Sequence, residues 1–153
     1  ENTAVRPARK SGAMAETKVE IFVTSWCPYC RTELPDLELL AREFEGRVGV
    51  LAINRGESDT VGALYLSSLN LQRKVAYVYD PVDAWYRVIG GYVMPETLFI
   101  REDGTVQHHQ RGVLSLEALR TYTQQLLDPS QETGKTTVGT GKGCEGALCR
   151  GEE

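Results

Sequence analysis

The chain has 153 residues, of which 41% are hydrophobic and 25% charged, with a formal net charge of −4. This composition is ordinary for a globular protein and excludes disorder over most of the chain. The acidic balance argues against a nucleic-acid-binding protein, which usually carries a basic face. No apolar run is long enough to cross a bilayer, so the sequence predicts no transmembrane helix.

The chain divides into a central domain and two terminal segments. Residues 1–18 show neither apolar periodicity nor the apolar stretch of a signal peptide, so we expect a flexible N-terminal segment or a remnant of cloning. Residues 129–153 hold six glycines and no aromatic residue, which predicts a flexible tail with a second cysteine pair. Every aromatic residue falls within residues 19–128, and we assign the folded domain to that range.

Apolar patterns in the domain predict nine elements in the order β-α-β-α-β-α-β-β-α. Strands are expected over residues 19–24, 48–53, 75–79, 97–100 and 105–110, and helices from Pro28, from Ser58 or Asp59, from Val82 and from Ser115. The first helix is expected to kink at Pro35 and to end at Gly46. The early connections require a parallel sheet with right-handed crossovers, and a hairpin through residues 102–104 adds an antiparallel edge. The order predicts an α/β fold with a central mixed sheet and helices on both faces.

The strongest chemical motif is Trp26-Cys27-Pro28-Tyr29-Cys30, between the first strand and the first helix. Cys27 falls at the helix N-terminus, where unpaired N–H groups and the helix dipole stabilise a thiolate, whereas Cys30 lies one turn further in and is less exposed. Such an asymmetric pair is typical of dithiol–disulfide exchange, in which Cys27 attacks and Cys30 resolves. The alternatives are a structural disulfide or half a zinc site, but zinc needs two more ligands and the strand–CxxC–helix context disfavours it.

A second motif, Met94-Pro95-Glu96-Thr97, opens a predicted strand with proline, which removes a hydrogen-bond donor from the sheet. A cis peptide bond forming a tight corner would explain its position, whereas base rates favour a trans bond.

The two motifs, together with Glu33, Asn54 and Asp103-Gly104, resemble the TlpA/ResA/CcmG branch of the thioredoxin superfamily over residues 19–127. The resemblance implies a thioredoxin-like fold with an inserted helix–strand, which matches residues 58–79. It also implies that Pro95 is cis and packs beside the cysteines, and that the backbone at Met94 pairs with a substrate strand. The Pro-Glu-Thr version is most similar to members that serve cytochrome c maturation.

The resemblance implies a thiol–disulfide oxidoreductase that reduces protein disulfides and needs no dissociable cofactor. The expected substrate is apocytochrome c or its chaperone. The expected source of electrons is a membrane electron donor, and the expected location is outside the cytoplasm. We expect a monomer that binds no nucleic acid. Three features depart from the family: residues 1–18 offer no additional strand pair, Ile21 stands where thioredoxin has a buried acid, and Cys144 and Cys149 have no counterpart.

Two carboxylates are predicted to join the cysteines. Glu33 lies one helical turn after Cys30 and could carry a proton during exchange, with an exposed helical glutamate as the alternative. A desolvated carboxyl group near a thiolate should have a raised pKa. Glu96 is either a second acid of the same site or a solvent-facing edge-strand residue. Trp26, Pro28, Tyr29 and Met94 are the predicted substrate-binding residues, although Trp26 could simply pack.

Two rival functions are open. Tyr29 between the cysteines is typical of glutaredoxins, and thiols could also hold a metal or haem in a carrier protein. Cys144 and Cys149 could exchange with the first pair or bind a soft metal, but we favour an incidental pair. The neighbouring residues His108 and His109 should point to opposite faces of a strand, so we predict surface residues and no metal site.

Overall fold

The structure, a computed structural model, describes residues 17–131 except residue 73. The strands are β1 (Lys18–Val23), β2 (Gly49–Arg55), β3 (Ala76–Asp80), β4 (Glu96–Ile100) and β5 (Val106–Arg111), and the helices are α1 (Pro28–Glu43), α2 (Asp59–Ser68), α3 (Ala84–Val88) and α4 (Leu116–Leu127), followed by a 3-10 turn at Pro129–Gln131. The nine predicted elements are all present in the predicted order. Among the described residues, no helix is both long and apolar enough to span a bilayer.

The five strands form one mixed sheet in the spatial order β3-β2-β1-β4-β5. Strand β1 is parallel to β2, which is parallel to β3, whereas β4 is antiparallel to both β1 and β5. The predicted mixed sheet, its antiparallel hairpin and the inserted α2–β3 unit are therefore confirmed. Because β4 runs against its neighbours, the carboxyl ends of β1 and β5 lie at the same edge of the sheet as the amino end of β4.

Helix boundaries follow local chemistry. Helix α1 begins after Cys27 with Pro28 in its first turn, where the missing N–H needs no partner, and it continues through Pro35 to Glu43. Helix α3 begins at Ala84, two residues after the predicted Val82. The reason is Asp83, whose left-handed backbone (φ 61°) cannot lie inside a helix.

The core has one apolar cluster on each face of the sheet. Alternate residues of β1 divide between them: Val19, Ile21 and Val23 join the larger cluster, whereas Phe22 joins the smaller one. The larger cluster contains the buried apolar side chains of α1 and α4 and both cysteines of the CxxC motif. The smaller one contains Tyr86 of α3. Helices thus cover both faces, and α1 and α3 lie on opposite sides of the sheet.

A buried carboxylate attaches the inserted strand to α1. Glu38 accepts hydrogen bonds from the backbone N–H groups of Lys74 (2.6 Å) and Val75 (3.4 Å) and from the Tyr77 hydroxyl (3.0 Å). Three donors satisfy the oxygens of a side chain that is only 5% exposed. The start of the edge strand β3 is therefore fixed to α1 by polar contacts as well as by packing.

The two histidines of β5 differ from the prediction of surface residues. They point to opposite faces, as expected, but both are half-buried. The His108 ring stacks on Tyr122 of α4 with centroids 4.0 Å apart, and His109 Nε2 lies 3.7 Å from Glu96 Oε2 on the other face. Contacts on both sides explain their burial, although β5 is an edge strand.

Candidate active site

Three chain segments meet at one edge of the sheet and form the candidate site. They are the loop from β1 into α1, the segment before β4, and the segment after β5. The N–H of Gly112 donates to the Pro95 carbonyl at 2.9 Å and joins the last two of these segments. The cysteine motif and the Met94-Pro95-Glu96-Thr97 motif thus share one edge of the sheet.

The cysteine pair forms a disulfide at the start of α1. The Cα atoms of Cys27 and Cys30 are 5.3 Å apart, and Cys27 Sγ accepts a hydrogen bond from the Cys30 N–H at 3.1 Å. Cys27 is the N-cap, as predicted, so its sulfur faces the unpaired N–H groups of the first helical turn. The predicted difference in exposure is slight in this disulfide form, because Cys27 is 2% exposed and Cys30 0%.

Large exposed aromatic side chains lie in the cysteine loop and in the segment before β4. Trp26 and Tyr29 are 64% and 59% exposed, and Tyr92, in the segment before β4, is 73% exposed. Pro28 is also exposed, between the cysteines. Trp26 is therefore not a core residue, and its role in docking stays a prediction. Exposed aromatic side chains near a reactive disulfide are suited to contact a docked peptide.

The peptide bond between Met94 and Pro95 is cis, as the family resemblance implied. Strand pairing of Phe22 with Glu96 places Pro95 beside the end of β1, which leads into the cysteine motif. Met94 is half-buried and packs against the apolar cluster that contains Cys27 and Cys30. Met94 also packs against the cluster on the α3 face, so it lies at the sheet edge between the two clusters.

Glu33 is a buried acid without a cationic partner among the described residues. It is 1% exposed; its Oε2 accepts a hydrogen bond from the Leu114 N–H at 3.3 Å, and its Oε1 has no hydrogen-bond partner in the described part of the chain. Burial raises the pKa of Glu33 to about 7 and the charge of Asp36 adds to the rise, whereas the Leu114 N–H and the nearby Thr97 side chain oppose it. The predicted desolvation and raised pKa are confirmed, and the exposed-glutamate alternative is wrong.

Glu96 lies on the opposite face of the sheet from Glu33. Its strand partner Phe22 belongs to the α3-side cluster, and directly paired residues of antiparallel strands share a face. The side chain is fully buried, with Oε1 3.0 Å from Arg111 Nε. The alternative of a solvent-facing residue is therefore wrong, because β4 is an inner strand. The structure does not bring Glu96 to the Glu33 side.

A third carboxylate was missed by sequence reasoning. Glu57, after β2, accepts hydrogen bonds from the Ser25 N–H (2.9 Å), the Ser25 hydroxyl and the Asn54 side-chain amide (2.9 Å). Burial opposes ionisation of Glu57, but the hydrogen bonds from Ser25 and Asn54 outweigh it and lower the pKa. The available signal was position: β1 and β2 are parallel neighbours, so Glu57 follows the strand end next to the cysteine loop.

His109 and Arg111 were also missed as neighbours of Glu96. Burial and the charge of Arg111 lower the pKa of His109, against the opposing effect of Glu96. The described residues contain no cluster of three or more His, Cys, Asp or Glu residues that could hold a metal ion. Cys144 and Cys149 lie outside the described residues.

Comparisons with known proteins agree with this geometry. The Redoxin family profile matches residues 10–126. The chain is 32% identical to the thiol:disulfide interchange protein DsbE of Pseudomonas aeruginosa, over 68% of the chain and 58% of that protein. It is 31% identical to the thiol:disulfide interchange protein CycY of Rhizobium leguminosarum bv. viciae, over 63% of the chain and 50% of that protein. The chain thus spans about half the length of these relatives.

Solved structures show the same fold. A secreted Mycobacterium tuberculosis disulfide oxidoreductase matches with a TM-score of 0.62 and 23% identity, over 74% of this chain and 84% of that one. StoA from Bacillus subtilis matches with a TM-score of 0.64 and 20% identity, over 73% and 85%. With a family match across most of its length and a thioredoxin-like sheet carrying a CxxC disulfide, the chain belongs to the Redoxin family of the thioredoxin superfamily.

Proposed function

We propose that the protein is a thiol–disulfide oxidoreductase that acts on protein disulfides through Cys27 and Cys30. The observation that carries the proposal is the disulfide at the N-terminus of α1, one helical turn from the buried acid Glu33 and at the same sheet edge as cis-Pro95. Exposed aromatic side chains around the disulfide supply the surface on which a substrate peptide would dock.

The reaction begins with the reduced pair. The Cys27 thiolate, stabilised by the start of α1, attacks one sulfur of the substrate disulfide and releases the other as a thiolate. Cys30 then loses its proton and attacks Cys27 Sγ, which releases the second substrate sulfur. The substrate disulfide has gained two electrons, and the Cys27–Cys30 disulfide has formed.

We propose that Glu33 carries the proton of Cys30. Both groups are buried on the same side of α1, three residues apart. A carboxyl group with a pKa of about 7 exchanges protons readily near neutral pH, which suits a general acid–base group. Glu96, on the other face, would act on the site indirectly by orienting Arg111 beside the segment before β4.

We infer that the usual direction is reduction of the substrate. A carboxylate near a thiol raises the pKa of the thiol and so destabilises the thiolate. Because the thiolate is part of the reduced form, the reduced form of the cysteine pair is less stable and donates its electrons more readily. Glu33 acts in this sense when it is ionised. A reductant of this kind needs a donor of electrons, for which we propose a membrane protein.

The substrate we propose is apocytochrome c or its chaperone, outside the cytoplasm. The support is the resemblance of the Met94-Pro95-Glu96-Thr97 segment to members that serve cytochrome c maturation, and the similarity to DsbE and CycY. Among the structural neighbours, one is described as secreted and another as an exposed lipoprotein.

Two experiments test the proposal: trapping of mixed disulfides with cysteine variants, and measurement of the reduction potential of the Cys27–Cys30 pair. Cys30→Ser should accumulate mixed disulfides between Cys27 and protein substrates, whereas Cys27→Ser should not. Trapping by Cys27→Ser instead would reverse the assignment. A reduction potential of the Cys27–Cys30 pair near that of thioredoxin, about −270 mV, would support a reductant, and one near −120 mV would show an oxidant. Efficient turnover of glutathione mixed disulfides alone would favour the glutaredoxin-like alternative.

A further inference from the structure

Arg111 lies at the same sheet edge as the cysteine loop, with its side chain on the α3 face beside Glu96. It is the last residue of β5 and pairs with Glu96, the residue after cis-Pro95. The next residue, Gly112, donates to the Pro95 carbonyl at 2.9 Å. Since adjacent strands are about 4.8 Å apart, the end of β5 lies about 10 Å from the end of β1, where the cysteine loop begins.

The guanidinium group of Arg111 is held from two sides. Its Nε lies 3.0 Å from Oε1 of the fully buried Glu96, and its guanidinium carbon lies 4.7 Å from the centroid of the Tyr92 ring. The side chain is nevertheless 37% exposed. No hydrogen bond within the described part of the chain uses its two terminal amino groups, so they remain available at the surface.

These contacts leave the guanidinium oriented but incompletely bonded. Arginine binds a carboxylate through two parallel N–H···O bonds, and a guanidinium that is already fixed loses little conformational entropy on binding. The other aromatic groups of the docking surface, Trp26 and Tyr29, carry no charge. Arg111 therefore adds electrostatic selectivity to a surface that otherwise binds by apolar contact.

We propose that Arg111 forms a carboxylate-binding subsite that favours protein disulfides with an acidic side chain near the reacting cysteine. The proposal rests on the proposed function, because it assumes a peptide docked between Cys27 and the segment before β4. An extended peptide rises about 3.3 Å per residue, so a peptide that crosses the sheet edge covers the roughly 10 Å from the end of β1 to the end of β5 in about three residues, or in two with the length of the side chain added.

The test uses a series of disulfide-bonded peptides and the reduced full-length protein. The peptides carry Glu, Gln or Lys two or three residues from the attacked cysteine, and the second-order rate constant of exchange is measured for each. With the wild-type protein, we expect the Glu peptide to react roughly three- to tenfold faster than the Gln peptide, and the Lys peptide to react slowest. Added salt should reduce these differences.

Arg111→Gln should bring the Glu-to-Gln rate ratio close to one. The ratio compares two peptides on the same protein, so a general loss of stability cancels. Arg111→Lys keeps the positive charge opposite Glu96 and should retain part of the preference, which covers the case in which Arg111→Gln folds poorly. Arg42→Gln is the matched control, since Arg42 is exposed near the other end of α1, about 20 Å along the helix, and the ratio should be unchanged.

The outcomes separate the two proposals. Equal rates for all peptides with the wild-type protein, or a preference that survives Arg111→Gln, would overturn the subsite and leave the exchange activity intact. Absence of exchange with every peptide would overturn the proposed function itself. If oxidised glutathione is the only substrate whose exchange rate falls in Arg111→Gln, then Arg111 binds a carboxylate of a small thiol. The inference about protein substrates is then wrong.

Discussion

Two buried glutamates lie on opposite faces of the same sheet, and their different neighbours suit them to different roles. Glu33, on the α1 face, accepts one backbone hydrogen bond, and its pKa is raised to about 7. Glu96, on the α3 face, lies beside the guanidinium of Arg111 and the ring of His109. A carboxyl group without a cation is suited to gain and lose a proton, whereas one beside a cation is suited to hold that cation in place.

The largest expected difference between the two is in the pH dependence of stability. A pKa of about 7 in the folded state against 4.5 in the unfolded state means that the folded protein binds more protons between these values. Proton binding by Glu33 therefore contributes about 3 kcal/mol to the free energy of unfolding. This contribution is fully present below pH 4.5 and is lost as the pH rises through 7. Denaturant unfolding of the oxidised protein across this range measures it.

Glu33→Gln should abolish that pH dependence, because glutamine does not titrate. Glu38→Gln, on the same helix, is the control and should keep it. If wild type and Glu33→Gln lose stability in parallel between pH 4.5 and 7, the raised pKa does not belong to Glu33.

The next effect concerns the rate of exchange. Glu33→Gln removes the proposed proton carrier and should slow exchange with protein disulfides by up to about 100-fold near neutral pH, whereas Glu96→Gln should change the rate only a few-fold. The pKa of Cys27 should fall in Glu33→Gln, since a negative neighbour is removed. The measurement is the reactivity of Cys27 against pH. Superimposable curves for wild type and Glu33→Gln would return the proton transfer to water.

On the α3 face, the expected effect is on stability. Arg111→Met leaves the buried Glu96 without its cation and should lower the free energy of unfolding by about 2 kcal/mol at neutral pH. The double variant Arg111→Met/Glu96→Gln should recover much of this loss. A double variant as unstable as Arg111→Met would mean that packing of the arginine, and not the ion pair, stabilises this face.

The smallest effect is expected at the third carboxylate. Glu57→Ala removes the acceptor for both Ser25 donors and should cost about 1 kcal/mol of stability. A less ordered Ser25-Trp26 segment should raise KM for protein substrates and leave the rate with a small disulfide unchanged. Glu45→Ala, which removes an exposed carboxylate paired with Lys74, is the control. Equal losses for large and small substrates would assign Glu57 to the chemistry instead of docking.

The sequence was sufficient for the fold because its signals are local. Alternating and helical apolar patterns, with Pro28 and Ser115 at helix starts, predicted the order of the elements, and the CxxC motif predicted the disulfide. The cis bond at Pro95 was implied by family resemblance alone. What failed depends on contacts between distant segments: the burial of Glu96 requires α3 and β5, and the Glu57–Ser25 contact joins residues 32 positions apart. Because side chains alternate along a strand, the sequence could have predicted that Glu96 and Thr97 point to opposite faces of the sheet. It could not have shown which of these faces α1 covers.

The position of β1 in the middle of the sheet has a consequence for amide exchange. The strand that leads into the cysteine motif is hydrogen-bonded on both sides, to β2 and to β4, and both core clusters pack against it. Its backbone amides can reach solvent only when the sheet itself opens, so they should exchange as slowly as global unfolding permits. We therefore expect the reactive disulfide to be attached to one of the least fluctuating strands, so that oxidation and reduction can proceed at its end while the strand behind it stays closed.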